Sequence, residues 1–217
     1  LTEKIPKSLL EVAGEPFIGH QLRYLKSQGV SEVVLCVGYL GEMIEVLVGN
    51  GNSFGLNVQY SFDGEKLLGT GGAIKKSLGL VADDFFILYG DSFLPIDFQL
   101  VETAYKNSHK AGLMTIIKND NQWDKSNVEY QAGMLIEYNK TTPNQNMKYI
   151  DYGLGILNKS VFKQDGDIFD LADLYHALSI KGDLAGYEIK QRFYEIGSMQ
   201  GLKDTEEYLL KASKEIS

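Results

Sequence analysis

Three glycines in four positions, Gly69-Thr70-Gly71-Gly72, separate a strand-like run (57–62) from a helix-like run (73–80). Glycine leaves the backbone uncovered, and a helix start offers unpaired N–H groups with a favourable dipole. A flat or anionic ligand could therefore come close to the main chain there. The spacing fits neither the dinucleotide-binding nor the P-loop pattern, and plain turn chemistry is the commoner cause of such a run. Its company gives it weight. Lys7 stands near the start, Asp91 just past the apolar strand 85–89, and Glu195 far downstream, each at the end of an element. A carboxylate at the mouth of a parallel sheet lies where ligands bind in α/β folds. The competing structural roles are a turn or helix cap for Asp91 and a surface ion pair with Lys190 or Arg192 for Glu195. His20, His109 and His176 all fall in expected helices, so they read as structural or solvated, and no Ser/His/Asp pattern is visible.

The elements that must position these residues follow from periodicity. A helix over 16–28 starts at Pro16 and places Ile18, Leu22 and Leu25 on one face, with Gly29 as its stop. The continuous apolar run 33–37 predicts a strand buried on both faces, with Cys36 inside it. A short helix carries Met43, Ile44 and Leu47, and 57–62 alternates as a strand. This order of strands and helices predicts a Rossmann-like, mostly parallel sheet flanked by helices. Later the texture changes. After a helix over 98–110 and a strand over 113–118, the runs 128–130 and 134–138 form a hairpin through Ala132-Gly133. Strand 149–157 holds Gly153 and Gly155 in alternation, a sign that a ligand or another backbone comes close. A helix over 167–180, strands at 184–189 and 193–196, and a helix over 199–212 complete the chain.

With 217 residues and 44% hydrophobic content, the chain suits one α/β domain with a substantial core. A net charge of -8 disfavours nonspecific binding to nucleic acid or to anionic membrane, so any phosphate site must be locally basic. The single cysteine excludes an intrachain disulfide framework, and a cytoplasmic setting is the default expectation. There is no apolar run long enough to span a bilayer and no basic-plus-apolar leader. The sequence begins at Leu1 as if a strand had just ended, so the true beginning is expected to lie upstream.

Read together, Lys7, the Gly-rich stretch, Gly90-Asp91-Ser92 and Tyr194-Glu195-Ile196-Gly197-Ser198 resemble the sugar-1-phosphate nucleotidyltransferases. The resemblance covers essentially all of the chain and is closest in look to the heptose- and mannose-1-phosphate guanylyltransferases. It implies a single nucleotidyltransferase domain over 1–217, a Rossmann-like sheet with a small β-rich sugar-binding insertion. It also implies a first strand and a glycine-rich, arginine-bearing loop ahead of Leu1.

The reaction it implies is attack by a sugar 1-phosphate oxygen on the α-phosphorus of a nucleoside triphosphate, giving a nucleotide sugar and pyrophosphate. Asp91 and Glu195 would hold Mg2+, Glu195 standing where relatives more often have aspartate. Lys7 and Lys140 would meet the phosphates, the backbone at Gly69, Thr70 and Gly71 would line the nucleotide, and Asn127, Asn139, Asp151 and Gly153 the sugar. Asn139 occupies a position where relatives often have glutamate. The partners implied are the two phosphorylated substrates, without nucleic acid or membrane, and a homo-oligomer is compatible with it. Two other readings share the fold: a cytidylyltransferase for a small phosphorylated alcohol such as phosphocholine, and a noncatalytic nucleotide-binding regulatory subunit.

Overall fold

The computed structural model describes residues 4–119, 122–123, 125–163 and 166–215. In chain order the elements are β1 (Glu11–Val12), β2 (Glu15–Pro16), α1 (Phe17–Ser27), β3 (Glu32–Val37), α2 (Gly41–Val48), β4 (Asn57–Phe62), α3 (Gly69–Ser77), β5 (Asp84–Leu88) and β6 (Ser92–Phe93). Then come α4 (Phe98–Ser108), β7 (Gly112–Lys118), β8 (Val128–Gln131), β9 (Met134–Tyr138), β10 (Tyr149–Asn158), α5 (Leu171–Ile180), β11 (Leu184–Ile189), β12 (Tyr194–Glu195) and α6 (Met199–Glu215). The chain divides into two compact units, 1–64 with 89–95 and 192–217, and 65–88 with 96–191.

In the first unit β3 and β4 pair in parallel, in register from Glu32 with Asn57 to Val37 with Phe62. One face of this pair packs on α1: Val33 and Leu35 join a cluster with Ile18, Leu22 and Leu25. Period two sends Val34 and Cys36 to the opposite face, and Cys36 is exposed. The expectation of a strand buried on both faces, with Cys36 inside, is therefore corrected. A continuous apolar run reports hydrophobicity, not how many faces are covered. A second cluster of Val12, Phe17, Phe93, Ile196 and Leu209 gathers α1, β6, β12 and α6.

The second unit is built on a six-stranded sheet ordered β11-β7-β10-β8-β9, with β5 also pairing β10. β11 and β7 are parallel, as expected of this fold class. The long β10 runs antiparallel to β5, β7 and β8, so the sheet is mixed. β10 lies between β5 and β7, so both keep one direction although they never pair with each other. Helix α3 with its cap Leu78, and helix α5, contribute Ile74, Leu78, Leu171, Leu174, Tyr175 and Leu178 to the core beneath this sheet. The β8–β9 hairpin turns through Ala132 and Gly133, both at positive φ, the conformation a two-residue hairpin turn demands. Asp97 caps α4, its carboxylate accepting from the Gln99 and Leu100 amides at 2.8 and 3.3 Å.

Two helix starts differ from expectation. α3 begins at Gly69, so the glycine-rich stretch is the first turn of the helix rather than a loop ahead of it. α5 begins at Leu171 with Asp170 as its cap, so Asp167 lies outside the helix. Low glycine propensity argues against the first start, yet tertiary packing overrides it.

Candidate active site

In the first unit, Lys7, Asp91 and Glu195 come together although up to 188 positions separate them in the sequence. The means is short-range pairing: β6 and β12 form an antiparallel ladder with Glu195 opposite Ser92, and the Ile196 amide donates to the Asp91 carbonyl at 3.0 Å. Asp91 and Glu195 thus meet at one end of a single ladder. Lys7 Nζ lies 3.9 Å from Asp91 Oδ2, and both groups are partly exposed. Gly197 sits among all three. A methyl group in place of its hydrogen would stand 2.8 Å from Glu195 Oε2, 3.7 Å from Lys7 Nζ and 3.9 Å from Asp91 Oδ2.

Glu195 is held at the start of α6. Its Oε2 accepts from the Gly197 and Ser198 amides, and its Oε1 accepts the Ser198 hydroxyl at 2.6 Å. A carboxylate at a helix N-terminus meets both unpaired donors and the positive end of the dipole. Of the two surface partners considered from sequence, Lys190 and Arg192, the second pairs with Asp204 instead.

One positioning residue escaped the sequence reading. Gln21, on α1 and buried, donates its amide hydrogens to the carbonyls of Tyr89 at 3.0 Å and Ser92 at 2.7 Å, bracketing Asp91. The available signal was a glutamine three residues after Ile18 and one before Leu22, on the buried side of an amphipathic helix.

The second unit holds the remaining candidates. Gly69 and Thr70 are exposed, whereas Gly71 and Gly72 are buried with their amides donating to Phe169 O at 3.0 and 3.2 Å. The glycines are needed for space. Added Cβ atoms would meet Phe169 O at 2.6 Å (Gly69), the Phe169 ring at 2.3 Å (Gly71) and Asp167 O at 2.1 Å (Gly72). What comes close to this bare backbone is another stretch of the same chain.

Asn127, Asn139 and Asp151 are joined by hydrogen bonds. The Asn127 carbonyl accepts from the Asn139 amide at 2.8 Å, and its side-chain Oδ1 accepts from the Asp151 amide at 3.3 Å. Asp151 Oδ1 in turn accepts from the Gly153 amide at 2.9 Å, where β10 bulges and Gly153 takes φ +108°. Asn139 is occupied with its own turn, accepting from the Thr142 amide at 2.8 Å and donating to Glu137 Oε1 at 3.1 Å. Lys140 is exposed. Burial pushes the Asp170 carboxyl up, but the Ala172 amide, the Thr70 hydroxyl and the Lys140 charge together hold it below the usual carboxylate value. Gly155, the other strand glycine, makes room for the hydroxyl of Tyr175, whose acidity burial suppresses.

Two carboxylates with room for phosphate and water oxygens suit Mg2+, which prefers few protein ligands. Among the described residues no group of three or more histidine, cysteine or acidic side chains forms a closed metal cage. Gly197 and Ser198, just ahead of α6, occupy three of about four acceptor positions of Glu195, and Asp91 is partly exposed, so the pair would offer a magnesium ion few protein ligands and leave the rest to substrate and water.

A mixed sheet packed with helices in one unit, and a lysine with two carboxylates gathered at a short ladder in the other, place the chain in the α/β class. Residues 1–172 match the family described as Nucleotidyl transferase, and the chain belongs to that family. It is similar to a D-glycero-alpha-D-manno-heptose 1-phosphate guanylyltransferase of Campylobacter jejuni, 30% identical over 75% of this chain and 71% of the relative. It is also similar to an N-acetylmuramate alpha-1-phosphate uridylyltransferase of Neisseria meningitidis, 40% identical over 45% of this chain and 43% of that protein. The crystal structure of HddC from Yersinia pseudotuberculosis complexed with GMP-PN shares the fold, with a TM-score of 0.77 at 20% identity over 94% of this chain and 90% of that one. Among the described residues no helix is long and apolar enough to cross a membrane.

Proposed function

We propose that the protein transfers a nucleoside monophosphate from a nucleoside triphosphate to a sugar 1-phosphate, with a guanosine nucleotide as the favoured donor. The observation that carries this reading is the grouping of Lys7, Asp91 and Glu195 around Gly197, within a chain of the nucleotidyl transferase family. The preference for guanosine follows the Campylobacter relative, which aligns over most of this chain.

The chemistry demands little from side-chain acids or bases. A phosphate monoester has its second pKa near 6, so the sugar phosphate is already a nucleophile at neutral pH. One of its oxygens forms a bond to the α-phosphorus while the bond to the pyrophosphate oxygen breaks, and no proton need move. The protein must hold the reactants in line and balance charge in an acidic chain. Asp91 and Glu195 are the residues that would hold Mg2+, which when bound offsets phosphate charge. Lys7 supplies the positive charge beside them. In the second unit, Gly69 and Thr70 offer backbone groups to the nucleotide. Lys140 takes the sugar phosphate, and Asn127, Asn139, Asp151 and Gly153 border the sugar.

The test is a matrix of nucleoside triphosphates against sugar 1-phosphates with Mg2+, read as pyrophosphate release. GTP with a heptose or mannose 1-phosphate is expected to give the fastest release. Nucleotide binding without release from any pair would overturn the reading in favour of a regulatory subunit, and turnover only of CTP with a phosphorylated alcohol would overturn it in favour of a cytidylyltransferase. Lys140→Ala is expected to raise KM for the sugar phosphate about tenfold while leaving triphosphate affinity nearly unchanged. Equal shifts in both would remove its assigned role.

A further inference from the structure

The hydroxyl of Thr70 sits at the centre of a set of contacts that the glycines alone do not explain. It donates to Asp170 Oδ1 at 3.0 Å and accepts from the Leu171 amide at 2.9 Å. The same carboxylate oxygen accepts from the Ala172 amide at 2.9 Å, capping α5. Around this hub, Phe169 N donates to Leu68 O at 3.1 Å, Gly71 and Gly72 donate to Phe169 O, and Lys75 Nζ donates to Gly166 O at 2.8 Å. The first turn of α3 is therefore tied to the residues leading into α5 by bonds in both directions.

We propose that Thr70 and Asp170 form a latch that fixes the nucleotide-contacting turn before substrate arrives, making both of them positioning residues. This rests on the assignment of Gly69 and Thr70 to the nucleotide.

Three observations support it. Gly69 and Thr70 are tied to the 167–171 segment, with Phe169 O only 2.6 Å from where a Gly69 Cβ would stand, yet both residues remain exposed, so the latch holds the turn without covering it. Gly69 is at φ +72°, one of the many conformations open to glycine, so contacts from outside the turn are what select it. The Asp170 carboxylate also feels the charge of Lys140, so one side chain touches the turn assigned to the nucleotide and interacts with the lysine assigned to the sugar phosphate. A turn fixed in advance spends no binding energy on its own ordering, and this appears in substrate affinity rather than in the chemical step.

The experiment measures steady-state pyrophosphate release and, separately, equilibrium binding of the triphosphate, in four variants. Thr70→Val keeps the shape and removes the hydroxyl. It is expected to raise KM and Kd for the triphosphate about three- to tenfold, with kcat and the KM for sugar phosphate within twofold of the parent. Thr70→Ser restores the hydroxyl and should return triphosphate KM toward the parent value. Asp170→Ala should resemble Thr70→Val, whereas Asp170→Asn keeps an acceptor for Thr70 and should leave triphosphate Kd within twofold. Equal loss in kcat and both KM values, or a Thr70→Ser variant as impaired as Thr70→Val, would overturn the latch. Pyrophosphate release by the parent protein is judged first, so its absence counts against the proposed function. The binding arm still decides the latch, because unchanged triphosphate Kd in Thr70→Val overturns it alone.

Discussion

The two regions that drew notice in the sequence are built on opposite plans. Around Gly197 the chain gathers charge: a lysine and two carboxylates, partly exposed, positioned by a ladder of two-residue strands. Around Gly69–Gly72 it gathers backbone, with hydrogen bonds and van der Waals contact against residues 167–171. Both use glycine for closeness, but the neighbours differ. Gly197 leaves room for a side-chain carboxylate, whereas Gly72 leaves room for a backbone carbonyl that cannot move alone. A change in shape should therefore cost the packed turn more stability than the charge cluster, and a change in charge should cost the cluster its activity.

The strongest way to break this contrast is Asp91→Asn, which preserves shape and deletes charge. Pyrophosphate release with Mg2+ should fall roughly a hundredfold or more, with a thermal midpoint within a few degrees of the parent. Retained activity would remove Asp91 from the metal. Gly72→Ala against Gly197→Ala sharpens it next. The first forces a Cβ to 2.1 Å from a backbone oxygen and should cost about 1–3 kcal/mol in a denaturant titration. The second crowds Glu195 Oε2 at 2.8 Å and touches Lys7 Nζ and Asp91 Oδ2 at ordinary contact distance, and should lower activity with a smaller loss of stability. Similar stability losses in both would erase the distinction.

Gln21→Leu probes how the charge cluster is held. Two carbonyls lose their donor, so a destabilisation of about 1–3 kcal/mol is expected, together with reduced affinity for Mn2+ followed by paramagnetic resonance. Unaltered Mn2+ affinity would show that the Tyr89–Ser92 backbone needs no such brace. The smallest effect concerns pH. The folded-state Asp170 carboxyl titrates below its unfolded value, so its contribution is fully present above about pH 4 and fades as pH falls through the lower folded value. Parent and Asp170→Asn should differ in thermal midpoint at pH 6 and converge toward pH 3. A constant gap would mean that ionisation of Asp170 contributes nothing to stability, while the acceptor role in the latch is read from triphosphate binding.

Much of the layout was legible in advance. β4 keeps the bounds read from alternation and β11 those expected for it, α1 starts one residue after Pro16, and the hairpin turns where Ala132-Gly133 places it. Asp91 and Glu195 were legible because each follows or ends an apolar run, where a carboxylate has no core role. Gln21 was hidden, since a polar residue on an apolar face looks like an interruption until its two carbonyl partners are known. Cys36 was misread because hydrophobicity does not specify which neighbours cover a strand. The start of α3 was misplaced because three glycines argue against helix, and only the 167–171 segment supplies the bonds that reverse that preference.

The amino-acid order by itself determined the elements, their spacing and the residue types capable of handling phosphate, because these depend on local periodicity and on chemistry carried by single side chains. Tertiary structure alone decided that β10 runs against its neighbours, that Glu195 lies across a ladder from Ser92, and that the glycines of α3 accommodate Phe169 and Asp167. Those outcomes depend on contacts between distant parts of the chain. Their free energy comes from burial and hydrogen bonding gained only once both partners are in place, which no local preference encodes.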